Sequence, residues 1–304
     1  MSERRYLAPL PLGGDDGPPW SKGLMARALA ATGLSMIRAY DLARSADADM
    51  AARGDDRLDL DRLATLAAEV LGEDEAERTM RRLRRLQALQ ELDVPILVLV
   101  GGATGTGKST IATEVAHRLG ITRVASTDFI RQTMRAFFSR EFMPSVHYSS
   151  FDAGLGLTKA EEDEAGDPML LGFLEQTRRV LVGVEAAIDR SLTEHWSTLL
   201  EGVHLVPGMI RVERQDALVV HCVVAISDEE VHRSHFWVRD RATDGLRPLD
   251  KYLEGMPEIR AIQDALIDRA HNADVPVIEN TGLDASVGAI LDLVLTRAGQ
   301  FVHA

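Results

Sequence analysis

The sequence predicts an α/β protein: a doubly wound parallel five-stranded sheet with helices on both faces, preceded by a small, mainly helical domain. Three observations lead there. From residue 94 onward, apolar runs of strand length alternate with helical patterns too long for hairpin connections. A glycine-rich loop joins the first such run to the first such helix. Upstream, between residues 20 and 92, the periodicity is helical throughout.

The elements follow in order. Residues 1–19, with PLGGDDGPP, read as an irregular arm. Helices are expected at 21–31, 35–52, 58–71 and 73–92, with Ser21 and Ser35 as N-caps and Gly33 and Gly54 as stop signals. The fourth carries Arg78, Arg81, Arg82, Arg84 and Arg85 beside an apolar stripe, and this cationic face is expected to be solvated. Strands are expected at 96–100, 123–126, 197–200, 217–226 and 275–278. Helices between and after them fall at 108–119, 128–138, 169–194, 228–239, 257–273 and 284–300. The acidic run KAEEDEAGDP at 159–168 reads as a mobile solvent loop.

Composition narrows the function. The 304 residues carry a net charge of −13, which opposes nonspecific binding to nucleic acid or an anionic membrane. The one cysteine, Cys222, lies in ALVVHCVVAI and reads as core, so no intrachain disulfide is available. The N-terminus lacks the apolar stretch of a signal peptide, and a cytoplasmic location is expected. A homo-oligomer is left open.

The loop VLVGGATGTGKST matches G-x-x-x-x-G-K-[ST] at Gly102, Gly107, Lys108 and Ser109, between a strand pattern and a helix pattern. Backbone amides of Gly102, Ala103, Thr104, Gly105, Thr106 and Gly107, with Thr110 opening the helix, would converge on phosphates at a helix N-terminus. Lys108 would hold the outer phosphates of ATP, and the Ser109 hydroxyl would sit on Mg²⁺. Guanine-reading, transporter-signature and helicase motifs are missing, so the fold expected is P-loop kinase-like, acting on a small molecule.

Candidate acceptor residues cluster where the strands end. In STDFIRQTMR, Ser126 or Thr127 caps a helix, and Asp128 is placed to take the acceptor's proton or order the metal. Arg131 and Arg135 share a helical face and would fork an anion. Glu201 occupies the strand end where a metal-ordering carboxylate is expected, and His204 follows near the substrate. In DEEVHRSHFWVRDR, Arg233 and Arg239 are the favoured lid cations that neutralise the transferred phosphoryl group. Asn280 ends the last strand, where a loop would frame the nucleotide base.

These segments, together with GFLEQ, VLVGVEAAIDR, LLEGVHLVPG, IRAIQDALIDRA and VPVIEN, resemble the 2-phosphoglycerate kinases in order across about 94–280. PPWSKGLMARALAATGL resembles the start of the ATP-cone domain that precedes the kinase in many members, and Lys22 would be its phosphate contact. The resemblance implies an arm at 1–19, an ATP-cone-like domain at 20–92 and a P-loop kinase domain at 93–304. It implies phosphoryl transfer from ATP to 2-phosphoglycerate, a small anionic acceptor. Two other readings stay open: a nucleotide-sensing regulatory protein, and a zeta-toxin-like kinase of a nucleotide-linked alcohol.

Overall fold

The computed structural model describes residues 10–13, 18–92, 94–164, 166–210, 216–242 and 249–302. Most of the expected arm therefore lies outside the described residues. The part described is docked: Leu10 is buried, Gly13 bridges Arg57, and the Leu58 amide donates to the Leu12 carbonyl at 2.8 Å.

Four helices come first: α1 (Lys22–Ala31), α2 (Met36–Arg53), α3 (Leu60–Leu71) and α4 (Glu73–Glu91). Ser21 and Ser35 cap the first two by accepting from the Leu24 and Arg38 amides. Gly54 ends α2 in the left-handed region at φ 70°. Lys22 is ion-paired with Asp47 at 3.3 Å, and Trp20 donates to the same carboxylate at 2.8 Å.

The strands β1 (Ile96–Gly101), β2 (Arg123–Ser126), β3 (Thr198–Glu201), β4 (Leu218–Ala225) and β5 (Val277–Glu279) form one sheet in the order β2-β3-β1-β4-β5. Every pairing is parallel. Parallel strands covered on both faces need continuous apolar runs, and β1 is buried at all six positions. Between the strands run α5 (Lys108–Leu119), α6 (Thr127–Phe137), α7 (Lys159–Glu164), α8 (Pro168–Thr193), α9 (Glu229–Ala242), α10 (Leu249–Glu254) and α11 (Met256–Asn272), and α12 (Leu283–Val302) closes the chain. No described helix is long and apolar enough to cross a membrane.

The acidic run departs from its expectation as a mobile loop, because α7 forms within it. The Thr158 hydroxyl accepts from the Glu161 amide while the Glu161 carboxylate accepts from the Thr158 amide at 2.7 Å. That reciprocal pair satisfies two otherwise unpaired helix-end donors. Short 3-10 turns at Pro144–His147 and Ser150–Gly156, and helix α10, are further elements without a clear periodic signal.

The cationic face of α4 also departs from its expectation. Arg78, Arg81 and Arg84 are exposed, but Arg82 turns onto α12, donating to Asp292 at 2.9 Å and to the Thr32 carbonyl at 3.2 Å. Arg85 reaches Thr296 of the same helix at 3.3 Å. Between these contacts, apolar side chains of α1–α4 share one continuous core with α5, α12 and one face of the sheet. Arg118, at 4% exposure, bolts the seam: it donates to Glu114, to the Leu34 carbonyl and to Asp284.

Candidate active site

Parallel strands bring the candidate residues to one edge. In the register, Val100, Glu201 and Ser126 stand side by side, so β1, β3 and β2 end together. The phosphate loop leaves β1, Asp128 follows β2, and Glu201 ends β3 at 7% exposure. Ser126 is the N-cap of α6, accepting from the Asp128 amide at 3.2 Å, which places Asp128 in the first turn.

The loop is held by one carbonyl bonded within it and three bonded from outside. The Ala103 carbonyl accepts from the Thr106 hydroxyl at 3.0 Å and from Lys108 Nζ at 3.2 Å. The Thr104 carbonyl is bonded by His232 Nε2 at 2.8 Å, and the Gly105 carbonyl by His235 Nδ1 at 2.9 Å. The Thr106 carbonyl accepts from Asn280 Nδ2 at 2.9 Å. In a planar trans peptide the N–H points opposite to the C=O. The carbonyls of Thr104, Gly105 and Thr106, tied outward to α9 and Asn280, therefore turn the amides of Gly105, Thr106 and Gly107 to the other side, where the α5 N-terminus adds its positive dipole end. Gly105 at φ 87° and Gly107 at φ 82° are required twice over. A Cβ would lie 2.4 Å from the Phe236 ring at the first and 2.6 Å from Asn280 Nδ2 at the second. The array suits an oligophosphate. The Ser109 side chain is exposed beside it.

Asn280 thus braces the loop, where the sequence suggested a contact to the base. Its amide is spent on Thr106, and its oxygen accepts from Ser286 at 3.0 Å.

At the start of α6, Arg131 is buried and turned inward. Nε and Nη2 donate to Asp128 Oδ1 at 3.0 and 2.8 Å, and Nη1 donates to the Val146 and Tyr148 carbonyls at 2.8 and 2.7 Å. The guanidinium aims the carboxylate and closes the turn at Pro144–His147. Arg135 is exposed on the same helix and contacts Gln132 at 3.0 Å.

His204 corrects its expected place near the substrate. It has no exposed surface, its Nδ1 meets the Thr127 hydroxyl at 2.9 Å, and its Nε2 meets Gln176 Oε1 at 3.0 Å. Burial, reinforced by the charge of Arg131, pushes its pKa down to about 3, so the ring is neutral. Asp128 and Lys108 also act on it electrostatically, which places both near this histidine. It braces the site from behind.

The expected lid presents different residues to the loop than the arginines favoured from sequence. Arg233 Nε lies 3.2 Å from Glu229 in an ion pair whose angle does not make a hydrogen bond. The side chain of Arg239 lies outside the described residues. What α9 lays on the loop is His232, His235 and Phe236. The arginines were favoured over His235, and His232 and Phe236 were not singled out, although the spacing of three and four residues marks one helical face. Phe236 stacks on Tyr252 of α10 at 5.0 Å between centroids, and Tyr252 meets Phe151 at 5.8 Å.

A phosphate loop on a parallel sheet of order β2-β3-β1-β4-β5, with carboxylates at the neighbouring strand ends, defines the class of P-loop kinases. The comparisons with known proteins narrow it. The chain is 37% identical over 280 residues to a 2-phosphoglycerate kinase of Methanopyrus kandleri, covering 92% of this chain and 84% of that one. It is 37% identical to a 2-phosphoglycerate kinase of Methanothermobacter thermautotrophicus, covering 90% and 89%. A third such kinase, from Pyrococcus horikoshii, is 34% identical over 92% of this chain and 90% of its own. The chain belongs to the 2-phosphoglycerate kinase family. No family model matches it. Among solved structures, a shikimate kinase from Acinetobacter baumannii in complex with shikimate aligns with 18% identity and a TM-score of 0.34, over 67% of this chain and 94% of that one.

Proposed function

We propose that the chain is an ATP- and Mg²⁺-dependent phosphotransferase that phosphorylates the 3-hydroxyl of 2-phosphoglycerate, giving 2,3-bisphosphoglycerate. The observation that carries this reading is the phosphate loop with its carbonyls tied outward, in a chain 37% identical to kinases named for that acceptor. Lys108 and the amides of residues 104–107 hold the triphosphate. Ser109 and Glu201 are the oxygen donors suited to Mg²⁺ and its water shell. When bound, Mg²⁺ neutralises charge developing on the transferred group. Asp128, oriented by Arg131, accepts the acceptor hydroxyl's proton as the oxygen attacks the γ-phosphorus, and ADP leaves. Arg135 is an exposed cation, and Arg233 a partly exposed one paired with Glu229, for an acceptor carrying a carboxylate and a phosphate.

The test is ADP release by the purified chain with Mg-ATP, against 2-phosphoglycerate and a panel of phosphorylated acids, sugars and nucleotide-linked alcohols, with mass spectrometry of the product. Release that depends on 2-phosphoglycerate and yields a bisphosphoglycerate supports the reading. Turnover of another acceptor replaces the substrate, and tight ATP binding without any turnover makes the chain a nucleotide sensor. Lys108→Ala is the control, with transfer slower by on the order of 10³-fold.

A further inference from the structure

We infer that His232 and His235 are positioning residues of the phosphate loop, using opposite ring nitrogens to set two successive peptide planes so that their amides face the nucleotide. The inference rests on the loop being the ATP site and names the residues that keep it pre-organised.

A carbonyl only accepts, so each histidine must carry its proton on the nitrogen that faces the loop. His232 therefore donates from Nε2 to the Thr104 carbonyl, and His235 from Nδ1 to the Gly105 carbonyl. For His232 the neutral ring is favoured by burial, which lowers its pKa, and its Nδ1 has no partner among the described residues. The peptide planes follow from these bonds. The Thr104 carbonyl and the Gly105 amide belong to one rigid unit, as do the Gly105 carbonyl and the Thr106 amide. Holding the two carbonyls against α9 aims the two amides away from it.

Free rotation is what the histidines suppress. Gly105, at φ 87°, has backbone freedom that no other residue type would have, so its two flanking peptides can flip unless something outside holds them. Phe236 fills the space where a Gly105 side chain would go, with its ring atoms 2.4 to 3.0 Å from that position. His232 stacks on the same ring at 5.7 Å. The three α9 side chains are thus one brace.

The opposite use of ring nitrogens gives a crossed test. A glutamine amide nitrogen overlays histidine Nε2, and an asparagine amide nitrogen overlays Nδ1. His232→Gln and His235→Asn should therefore keep the bond, whereas His232→Asn and His235→Gln should lose it. Binding of Mg-ADP to the full chain is measured by isothermal titration calorimetry, with thermal melting as the check on folding. Each lost bond should weaken binding about fivefold, with the two rescuing variants within about twofold of the native chain. In turnover, KM for ATP should rise with little change in KM for the acceptor. Equal effects of Asn and Gln at His235, or none, would overturn the inference while leaving the ATP site intact. His235 is only half-buried, so its pair decides the matter even if His232→Asn does not fold. A native chain that does not bind Mg-ADP overturns the ATP reading itself and this inference with it.

Discussion

Gln176 and His204 fix one another's orientation. Gln176 Nε2 donates to the Ser145 and Tyr148 carbonyls at 2.6 and 3.1 Å, so its Oε1 must be the atom that faces His204. His204 therefore carries its proton on Nε2, and its Nδ1 accepts from the Thr127 hydroxyl. One chain of bonds thus runs from α8 through the loop after β3 to the first residue of α6, next to Asp128.

This buried, neutral histidine makes stability depend on pH. His204 is pushed down to about 3, and His221, buried in β4, to about 4, both from 6.5. Below 6.5 the unfolded chain takes up protons that the folded chain refuses, so stability is complete above about 6.5 and is lost as pH falls towards 4. Each histidine contributes a slope of about 1.4 kcal/mol per pH unit in that window. His221→Gln keeps a donor for the Leu205 carbonyl but removes the titration. Urea unfolding at pH 6 and pH 5 should show its pH slope reduced by about that amount, and an unchanged slope would mean that His221 is charged in the fold.

Asp128 separates chemistry from architecture. Its side chain is 52% exposed although Arg131 holds it in place. Asp128→Asn keeps an oxygen for Arg131 and removes the proposed base, so kcat should fall on the order of 10²-fold with ATP binding nearly unchanged, while the buried Arg131, left without its counter-charge, lowers the melting temperature. A variant with native turnover would remove Asp128 from the transfer step.

Gly105 tests the loop from its packed side. Gly105→Ala places a methyl group against the Phe236 ring and asks alanine to adopt φ 87°. The strain is on the order of 1–3 kcal/mol. Calorimetric titration with Mg-ADP should show at least about tenfold weaker binding, because relief requires either the loop or α9 to move. Unimpaired binding would show that the brace is dispensable.

Arg118 tests the seam between the helical region and the sheet. Arg118→Met removes three bonds and strands the Leu34 carbonyl, while the exposed Asp284 can rehydrate. A loss of about 2–3 kcal/mol is expected. Hydrogen exchange should quicken in α1 and at the C-terminal end of α5; a loss confined to α5 would mean that the helical region holds on without this residue.

The sheet was legible because its signals are local. Six buried apolar residues in β1, followed by G-x-x-x-x-G-K-S, leave little choice of element, and Gly120 closes α5 as expected at φ 72°. What was not legible depends on which way a side chain turns in space. Arg131 and His204 both point inward: Arg131 donates to the Val146 and Tyr148 carbonyls, and His204 is bonded to Thr127 and Gln176. On α9, charge drew attention to Arg233, whereas the face that meets the loop is set by helical phase and belongs to His232, His235 and Phe236. Arg82 was read as solvated because the partner surface, Asp292, lies 210 residues away. The T-x-x-E signature at Thr158 was in plain view and was outweighed by the acidity of its surroundings.

Cys222 lies in β4, between β1 and β5, with no exposed surface, and burial pushes its thiol up to about 12. It is the chain's one cysteine, so the native protein offers no reactive sulfur to a maleimide. A label attached through Trp237→Cys, at a position 55% exposed on α9, would therefore report from that site alone. Its fluorescence on addition of nucleotide tests whether α9 shifts against the phosphate loop, without first stripping the chain of native thiols.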